Sequence, residues 1–540
     1  MNIRLLKHAW LMIALACTAD CASADIATAA QPNIVLIVAD DLGYTDIGVF
    51  GSDIKTPNID ELANQGITFT NFHTASSCAP TRAMLLSGNN NHIAGIGRQS
   101  IRRGRITEGL AGYEGHLSDR VAFLPEVLRT AGYKTYMAGK WHLGYEREYA
   151  PSKYGFDRSF NLNGGAGNHF DETGIDAHGS EYYEDGQRVP YPVGRYTTSV
   201  YTEKLIQYLD EHGDDEGPFF IYAAYTSPHW PLQVPDEDLN LYDGHFDMGY
   251  DNYRELRFRA LKRSGVIGTG AQLPPRNPAL REWNDLNVDE ERREARKMEL
   301  YAAMVENLDR HIGQLVSHLR SSGRYDNTLI LFMSDNGADG NDFYQTGRFS
   351  EFLQANYNID FENMGRAGSF ITTGPGWAEA SSAAHRLYKG FTTQGGIAAP
   401  LIIAGPGVVH RGALSGSYIT VSDIAPSLLS VAEATYPKSR RPMIGKSLLP
   451  LFSDALAEIY DESDYTIFFQ HNRAYLRVGD WKLMNVEGPF DESKFGLYNL
   501  KNDPAETTDL SLTNPDKRRE LIALWRLKRR EMGIVLPEDL

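Results

Sequence analysis

The run Ser76-Ser77-Cys78-Ala79-Pro80-Thr81-Arg82 places a thiol shortly ahead of a proline and an arginine, with the apolar turn Ala83-Met84-Leu85-Leu86 behind them. The chain has 3 cysteines, and the other two, Cys17 and Cys21, lie near its start. With those set aside, Cys78 has no internal disulfide partner. It is a buried small hydrophobe, an unpaired liability or a chemical centre. Pro80 suits a first helical turn, and Thr81 to Leu86 read as the opening of a helix. Cys78 then falls where unpaired N–H groups and the helix dipole favour negative charge. Arg82 adds a fixed cation one turn on, so the stretch is built for an anion.

Other residues of chemical use recur at the ends of apolar runs. Asn33 to Ala39 is a continuous hydrophobic stretch that reads as a strand buried on both faces, and it ends in Asp40-Asp41. Two adjacent carboxylates at a buried strand end are costly unless a cation neutralises them. Capping by a surface Asp pair is the plain alternative. Tyr133 to Ala138 is a second strand, followed by Gly139-Lys140-Trp141-His142-Leu143-Gly144. Lys140 and His142 project to one side if the chain is extended there. Pro218 to Tyr225 is a third, ending in Thr226-Ser227-Pro228-His229-Trp230-Pro231, and Asn327 to Ser334 a fourth, ending in Asp335-Asn336-Gly337. In open α/β sheets, ligands bind beyond the carboxyl ends of the strands, so these ends predict one shared pocket. Lys389, on the Gly-flanked turn after Arg386-Leu387-Tyr388, either reaches that pocket or is a solvated surface lysine. His92, in the Asn89–Gly97 loop, is a weaker candidate, better read as a loop hydrogen-bonder.

Asp40, Asp41, Asp335 and Asn336 make an all-oxygen ligand set. Such a set suits a hard divalent cation, Ca²⁺ above all, rather than Zn²⁺, which prefers His or Cys. A thiolate is a poor Ca²⁺ ligand. Either Cys78 stays off the metal, or it is no longer a cysteine in the active protein.

Cys78-Ala79-Pro80-Thr81-Arg82 resembles the C-x-P-x-R signature of type I sulfatases, and Gly132-Tyr133-Lys134-Thr135 through Gly139-Lys140-Trp141-His142 resembles their second signature. The likeness extends over nearly all of the mature chain. It takes in Asp40-Asp41, Asp335-Asn336-Gly337, and the tail pattern Leu497-Tyr498-Asn499-Leu500 with Asp503-Pro504-Ala505-Glu506. Asn91 to Gly97, Ser227 to Gln233 and Arg386 to Lys389 are most similar to the bacterial arylsulfatase branch. The resemblance implies that a maturation enzyme converts Cys78 to formylglycine, whose hydrated aldehyde attacks sulfur. It implies a metal, Ca²⁺, held by Asp40, Asp41, residue 78, Asp335 and Asn336. Arg82, Lys140 and Lys389 then stabilise the anionic transition state, His229 protonates the leaving oxygen, and His142 helps regenerate the aldehyde. The implied fold is α/β and alkaline-phosphatase-like: a large, mixed, mostly parallel sheet flanked by helices, with a smaller C-terminal α+β domain carrying an antiparallel sheet and a final helix. One departure is Ala398 in Gly395-Gly396-Ile397-Ala398-Ala399-Pro400, where many relatives have arginine; the position reads as structural or rim-lining.

The remaining elements fit that frame. Asp289 to Arg320 predicts a long helix with Tyr301, Val305, Leu308, Ile312, Leu315 and Leu319 along one face. Leu239 to Asp285 shows no clear period and is expected to form substrate rim. Short strands follow Tyr465, and Asn514-Pro515 opens a last helix to Met532, whose basic face is read as solvated charge. Pro437 to Pro442 reads as a linker, dividing residues 25–435 from 436–540.

A formal charge of −17 argues against a nucleic-acid partner and against attraction of a polyanion by the overall field, so an anionic substrate needs local cations. Residues 1–24 read as an export signal: Arg4 and Lys7, an apolar run from Ala9 to Cys17, and Ala22-Ser23-Ala24 before Asp25. Ala14-Leu15-Ala16-Cys17 loosely resembles a lipobox, which leaves lipoprotein anchoring as an alternative to a periplasmic or secreted protein. The apolar run is too short to span a bilayer, and no later segment offers a span. The function expected is hydrolysis of small aryl sulfates. The alternatives are a sulfatase for a sulfated polysaccharide, a phosphoester or phosphonate hydrolase of the same superfamily, and a sulfated-glycan binding module.

Overall fold

Alternation along the first strand explains the layering. In Asn33–Ala39 the side chains of Ile34, Leu36 and Val38 enter one hydrophobic core and those of Val35, Ile37 and Ala39 the other. Successive strand residues point to opposite faces, so a run that is apolar at every position demands cover on both sides. The helices at Cys78–Ser87, Leu124–Thr130 and Ile424–Val431 contribute to the first core, and those at Pro57–Gln65, Thr197–Glu211, Gly249–Arg263 and Val288–Ser321 to the second.

The computed structural model describes residues 31–99, 107–213, 217–344, 347 and 349–540. The export-signal residues, with Cys17 and Cys21, lie outside that set. The main sheet contains β1 (Asn33–Ala39), β2 (Gly66–His73), β3 (Lys134–Lys140), β4 (Arg158–Leu162), β5 (Tyr182–Glu184), β6 (Gln187–Val189), β7 (Phe219–Ala224), β8 (Thr328–Ser334), β9 (Ala398–Ala404), β10 (Ala413–Ser415) and β11 (Ile419–Thr420). Its order is β10-β2-β9-β8-β1-β7-β3-β4-β5-β6, with β11 also paired to β2. The centre, β8-β1-β7-β3-β4, is parallel throughout, while β9 runs antiparallel to both β8 and β2. The four strands whose ends carry the polar residues therefore lie side by side, pointing the same way. Gly139 lets β3 lie close against β7, since a Cβ there would meet Ala224 O at 1.8 Å.

A second, antiparallel sheet comprises β12 (Tyr465–Gln470), β13 (Arg473–Val478), β14 (Trp481–Asn485) and β15 (Gly496–Asn499), in sequence order. Its apolar residues Ile467, Leu476 and Leu483 join the first core together with Leu521 and Trp525 of the final helix, Pro515–Glu531. No described helix is long and apolar enough to cross a membrane.

The long helix extends over Val288–Ser321, opened by an Asn287 side chain that accepts from Asp289 N and Glu290 N. Leu308, Ile312, Leu315 and Leu319 on it are fully buried. Burying each such side chain contributes about 1.5–3 kcal/mol, so this face anchors the helix against the sheet. The reading of Leu239 to Asp285 as substrate rim does not hold. Gly249–Arg263 is a helix whose Tyr250 and Tyr253 pack edge-on against Trp377, and residues 266–268 and 270–272 line a different cavity from the catalytic one. Aromatic residues without a clear period form packing contacts here rather than a binding surface.

Candidate active site

Cys78 opens the helix Cys78–Ser87, with Ser77 at the N-cap and Gly88 (φ 62°) terminating it. The thiol is fully buried, with Sγ 3.3 Å from Asp40 Oδ1 and 3.6 Å from Asp41 Oδ1. Burial, reinforced by Asp335, pushes the thiol well above its ordinary range. Burial thus disfavours a free thiolate at Cys78.

The strand ends deliver the expected groups to the same place. Asp40 and Asp41 follow β1, and Asp335 and Asn336 follow β8; all four are buried. Lys140, the last residue of β3, is fully buried and donates from Nζ to Asp40 Oδ2 at 2.6 Å. Lys389 Nζ lies 2.6 Å from Asp41 Oδ2 and 3.0 Å from Asp339 Oδ2. Lys389 thus lines the pocket rather than the solvated surface. Arg82 donates from Nε and Nη2 to Asp335 Oδ2 and from Nη1 to the Lys140 carbonyl.

His229 follows β7. Its Nδ1 is 2.7 Å from the Trp230 carbonyl oxygen and its Nε2 3.4 Å from Asp41 Oδ2. Because a carbonyl only accepts, Nδ1 carries the hydrogen and Nε2 faces the carboxylates. His142 lines the same cavity, but not by the expected route. Its φ is 58°, so the chain leaves β3 in a left-handed turn rather than an extended segment. Burial and the neighbouring lysines hold both imidazoles well below their ordinary range.

Charge and donor chemistry together test the metal expectation. Although burial favours the neutral acid, Lys140 and Arg82 hold Asp40 below the usual carboxylate range. Asp41 is pushed the other way, to about 8, by burial and the surrounding Asp40, Asp339 and Asp335, against the pull of Lys389. A carboxylate so placed calls for more positive charge than the protein supplies. Asn336 Nδ2 donates to Asp41 Oδ1 at 2.6 Å, while its Oδ1 is buried without a partner. Ligand atoms of Asp40, Asp41, Cys78 and His229 all lie within 4.8 Å of one another. These residues fit a divalent cation.

Above the carboxylates opens a cavity of about 950 Å³, lined by His142, His229 and Lys389 and walled by Tyr145, Trp230, Phe343, Phe349, Tyr388 and Phe391. Trp230 and Phe343 meet edge to face at 5.0 Å, and Trp230 Nε1 donates to Asp339 Oδ2 at 3.3 Å. Several of these residues escaped sequence reasoning. Asp339 lies only three positions beyond Asn336, yet an isolated loop aspartate carries no signal of its own. The β12–β13 turn, which brings His471 and Arg473 to the cavity, is remote in sequence. His92 is buried away from the cavity, and Ala398 opens β9 and lines the other cavity rather than the catalytic one.

Residues 32–434 match the family model described as Sulfatase, and residues 384–528 that of the N-sulphoglucosamine sulphohydrolase C-terminal region. The chain is 40% identical to an uncharacterized sulfatase of Schizosaccharomyces pombe, with 94% of this chain and 95% of that one covered. It is 37% identical to the arylsulfatase of Klebsiella aerogenes, covering 77% of this chain and 91% of that enzyme. Among solved structures, Ps i-CgsB in complex with k-i-k-neocarrahexaose superposes with a TM-score of 0.66 at 25% identity, covering 93% of each chain.

Proposed function

This chain belongs to the sulfatase family and is a sulfuric ester hydrolase, and from that premise we propose that it cleaves small aryl sulfates with a nucleophile made from Cys78. The observation that carries the reading is the convergence of Cys78, Asp40, Asp41, Lys140 and Lys389 on one point under an aromatic-walled cavity. Formylglycine and a divalent metal come with the family. Converted to an aldehyde and hydrated, residue 78 would supply the oxygen that attacks sulfur. Asp40, Asp41, Asp335, Asn336 and residue 78 would hold Ca²⁺, which supplies Lewis-acid polarisation of sulfate oxygens.

The chain's own residues do the rest. Lys140, Lys389 and Arg82 place fixed positive charge where the transition state gathers negative charge, with Lys140 and Arg82 fully buried. With His229 Nδ1 tied to the Trp230 carbonyl, Nε2 is the atom that hands a proton to the leaving oxygen. Burial first, and then the two lysines, disfavour the imidazolium in the free site; an incoming sulfate anion offsets the lysines' part of that and so favours protonation. His142, across the same cavity, would take the proton of the second hydroxyl on residue 78, so that the carbon–oxygen bond to sulfate breaks, sulfate leaves and the aldehyde returns.

The aryl preference is supported by Trp230, Phe343, Phe349, Tyr388 and Phe391 along the wall, and by the name of the Klebsiella relative. Export through residues 1–24 to the periplasm or beyond is part of the same proposal; disulfides are permitted there, yet Cys78 has no internal partner once Cys17 and Cys21 are removed. A folded site with Cys78 fully buried also calls for the maturation enzyme to reach it as an accessible segment.

Mass measurement of the Cys78 peptide, combined with turnover assays, tests the proposal. Conversion lowers the peptide mass by about 18 Da, a covalent side-chain change. Nitrophenyl sulfate turnover is expected to exceed that of sulfated oligosaccharides and of phosphate esters. An unmodified cysteine in active protein, or dominant phosphatase turnover, overturns it.

A further inference from the structure

We infer that the buried ion pair between Lys482 and Glu506, in the C-terminal region, is a positioning device for Lys389. Lys482 is on β14, Glu506 follows β15, and neither lines the catalytic cavity. Their side chains are 1% and 0% exposed, with Lys482 Nζ 2.5 Å from Glu506 Oε1.

What the pair holds is the main chain of the loop that carries Lys389. Lys482 Nζ also donates to the Thr392 carbonyl oxygen at 2.7 Å. Glu506 Oε2 accepts from Gln394 N at 2.9 Å, and its own carbonyl oxygen accepts from Arg386 Nη1. The pair's side chains thus grip the loop main chain at Thr392 and Gln394, just after Lys389, while the Glu506 backbone receives the Arg386 side chain from before it. The loop needs gripping, because Leu387 (φ 58°) and Gly390 (φ 87°) put both flanks of Lys389 in the left-handed region, which leucine adopts at a cost. Gly337, after the metal-ligand candidates, leaves no room for drift: a Cβ there would meet Gly395 O at 2.0 Å.

Stability alone does not account for the pair. Desolvating two charges cancels most of their attraction, and apolar residues of similar volume do as well or better. Apolar side chains cannot fix a carbonyl oxygen and an amide N–H to hydrogen-bond distance. That fixing is what Lys389 requires, since its Nζ must meet Asp41 Oδ2 and Asp339 Oδ2 together.

The inference rests on the assignment of Lys389 to transition-state stabilisation, and a double-mutant cycle separates the two. The variant Lys482→Met/Glu506→Gln removes both charges at similar volume and leaves an amide oxygen for Gln394 N. Its kcat on nitrophenyl sulfate is expected to fall about 10²-fold, the cost of a small misplacement remote from the chemistry, with KM little changed. In a Lys389→Ala background the same pair of substitutions is expected to lower kcat no further. Wild-type kcat in the pair variant, or an equal loss with and without Lys389, overturns the inference. Wild-type kcat in Lys389→Ala alone overturns the assignment of Lys389 and takes the inference with it. If the pair variant fails to fold, Glu506→Gln alone carries the cycle, with a smaller kcat loss that must again vanish without Lys389.

Discussion

Arg82 aims two donors at a single oxygen of Asp335, Nε at 3.0 Å and Nη2 at 2.8 Å, both groups being fully buried. Its third nitrogen, Nη1, donates to the Lys140 carbonyl oxygen at 2.9 Å. One side chain therefore ties the helix bearing Cys78 to the ends of β8 and β3. It sets the distance between nucleophile and metal ligands as well as supplying charge.

Lysine presents one compact charge where arginine presents a planar fork, so Arg82→Lys keeps the charge and loses the tie. The expected outcome is a fall in kcat/KM of about 10²–10³-fold, the range seen when one fixed electrostatic donor is lost. Steady-state turnover with a parallel denaturation curve checks it, and an unchanged kcat/KM would show that the fork is dispensable.

Cys78→Ala should abolish turnover while leaving the fold. The side chain is small, and its removal leaves the helix start and Ser77 N-cap in place. Activity and circular dichroism measured on one preparation separate the chemical role from a packing role; a variant that still turns over would point to a binding module.

Chelation should lower both activity and the thermal midpoint, with Ca²⁺ restoring each more effectively than Mg²⁺. Removing a cation leaves Asp41 uncompensated where burial first, and then Asp40, Asp339 and Asp335, raise its pKa to about 8. A ligand at a hundred times its Kd stabilises by about 2.7 kcal/mol, enough to read in a melting curve. An unchanged midpoint at zero free Ca²⁺ would contradict the ligand set.

Trp230→Ala removes the indole that stands between Asp339 and Phe343. We expect KM for nitrophenyl sulfate to rise about tenfold, as loss of one aromatic contact of about 1.4 kcal/mol implies, with kcat less affected. An equal rise for a sulfated oligosaccharide would argue that the wall recognises sugars too.

Stability should decline in mild acid through His92. It is fully buried, with Nε2 unpartnered, and burial pushes its pKa down to about 3. A histidine that is neutral when folded gains its proton only on unfolding, so stability is complete above the unfolded pKa and is lost as pH falls toward the folded one. From about pH 7.5 to about pH 5 this single group accounts for about 2 kcal/mol. Denaturation midpoints of wild type and His92→Gln at both pH values measure it, the variant showing the shallower dependence.

Sequence alone determined the elements and most of the chemistry. Asn33–Ala39, Thr328–Ser334 and the long helix are legible because local apolar periodicity is enough to dictate them. Cys78, Arg82, Lys140, His142 and His229 are legible because each is a distinctive residue type in a short motif or at the end of an apolar run. Lys389 remained open between pocket and surface, since a lysine on a turn has no pattern. Only the tertiary structure decided it, by bringing residues far apart in the chain against Asp41. The same holds for Asp339, for the Lys482–Glu506 grip, and for the insertion at 239–285, which packs away from the catalytic cavity. Contacts between distant segments depend on how the two sheets and their loops pack, and that information is not carried by any local run of residues.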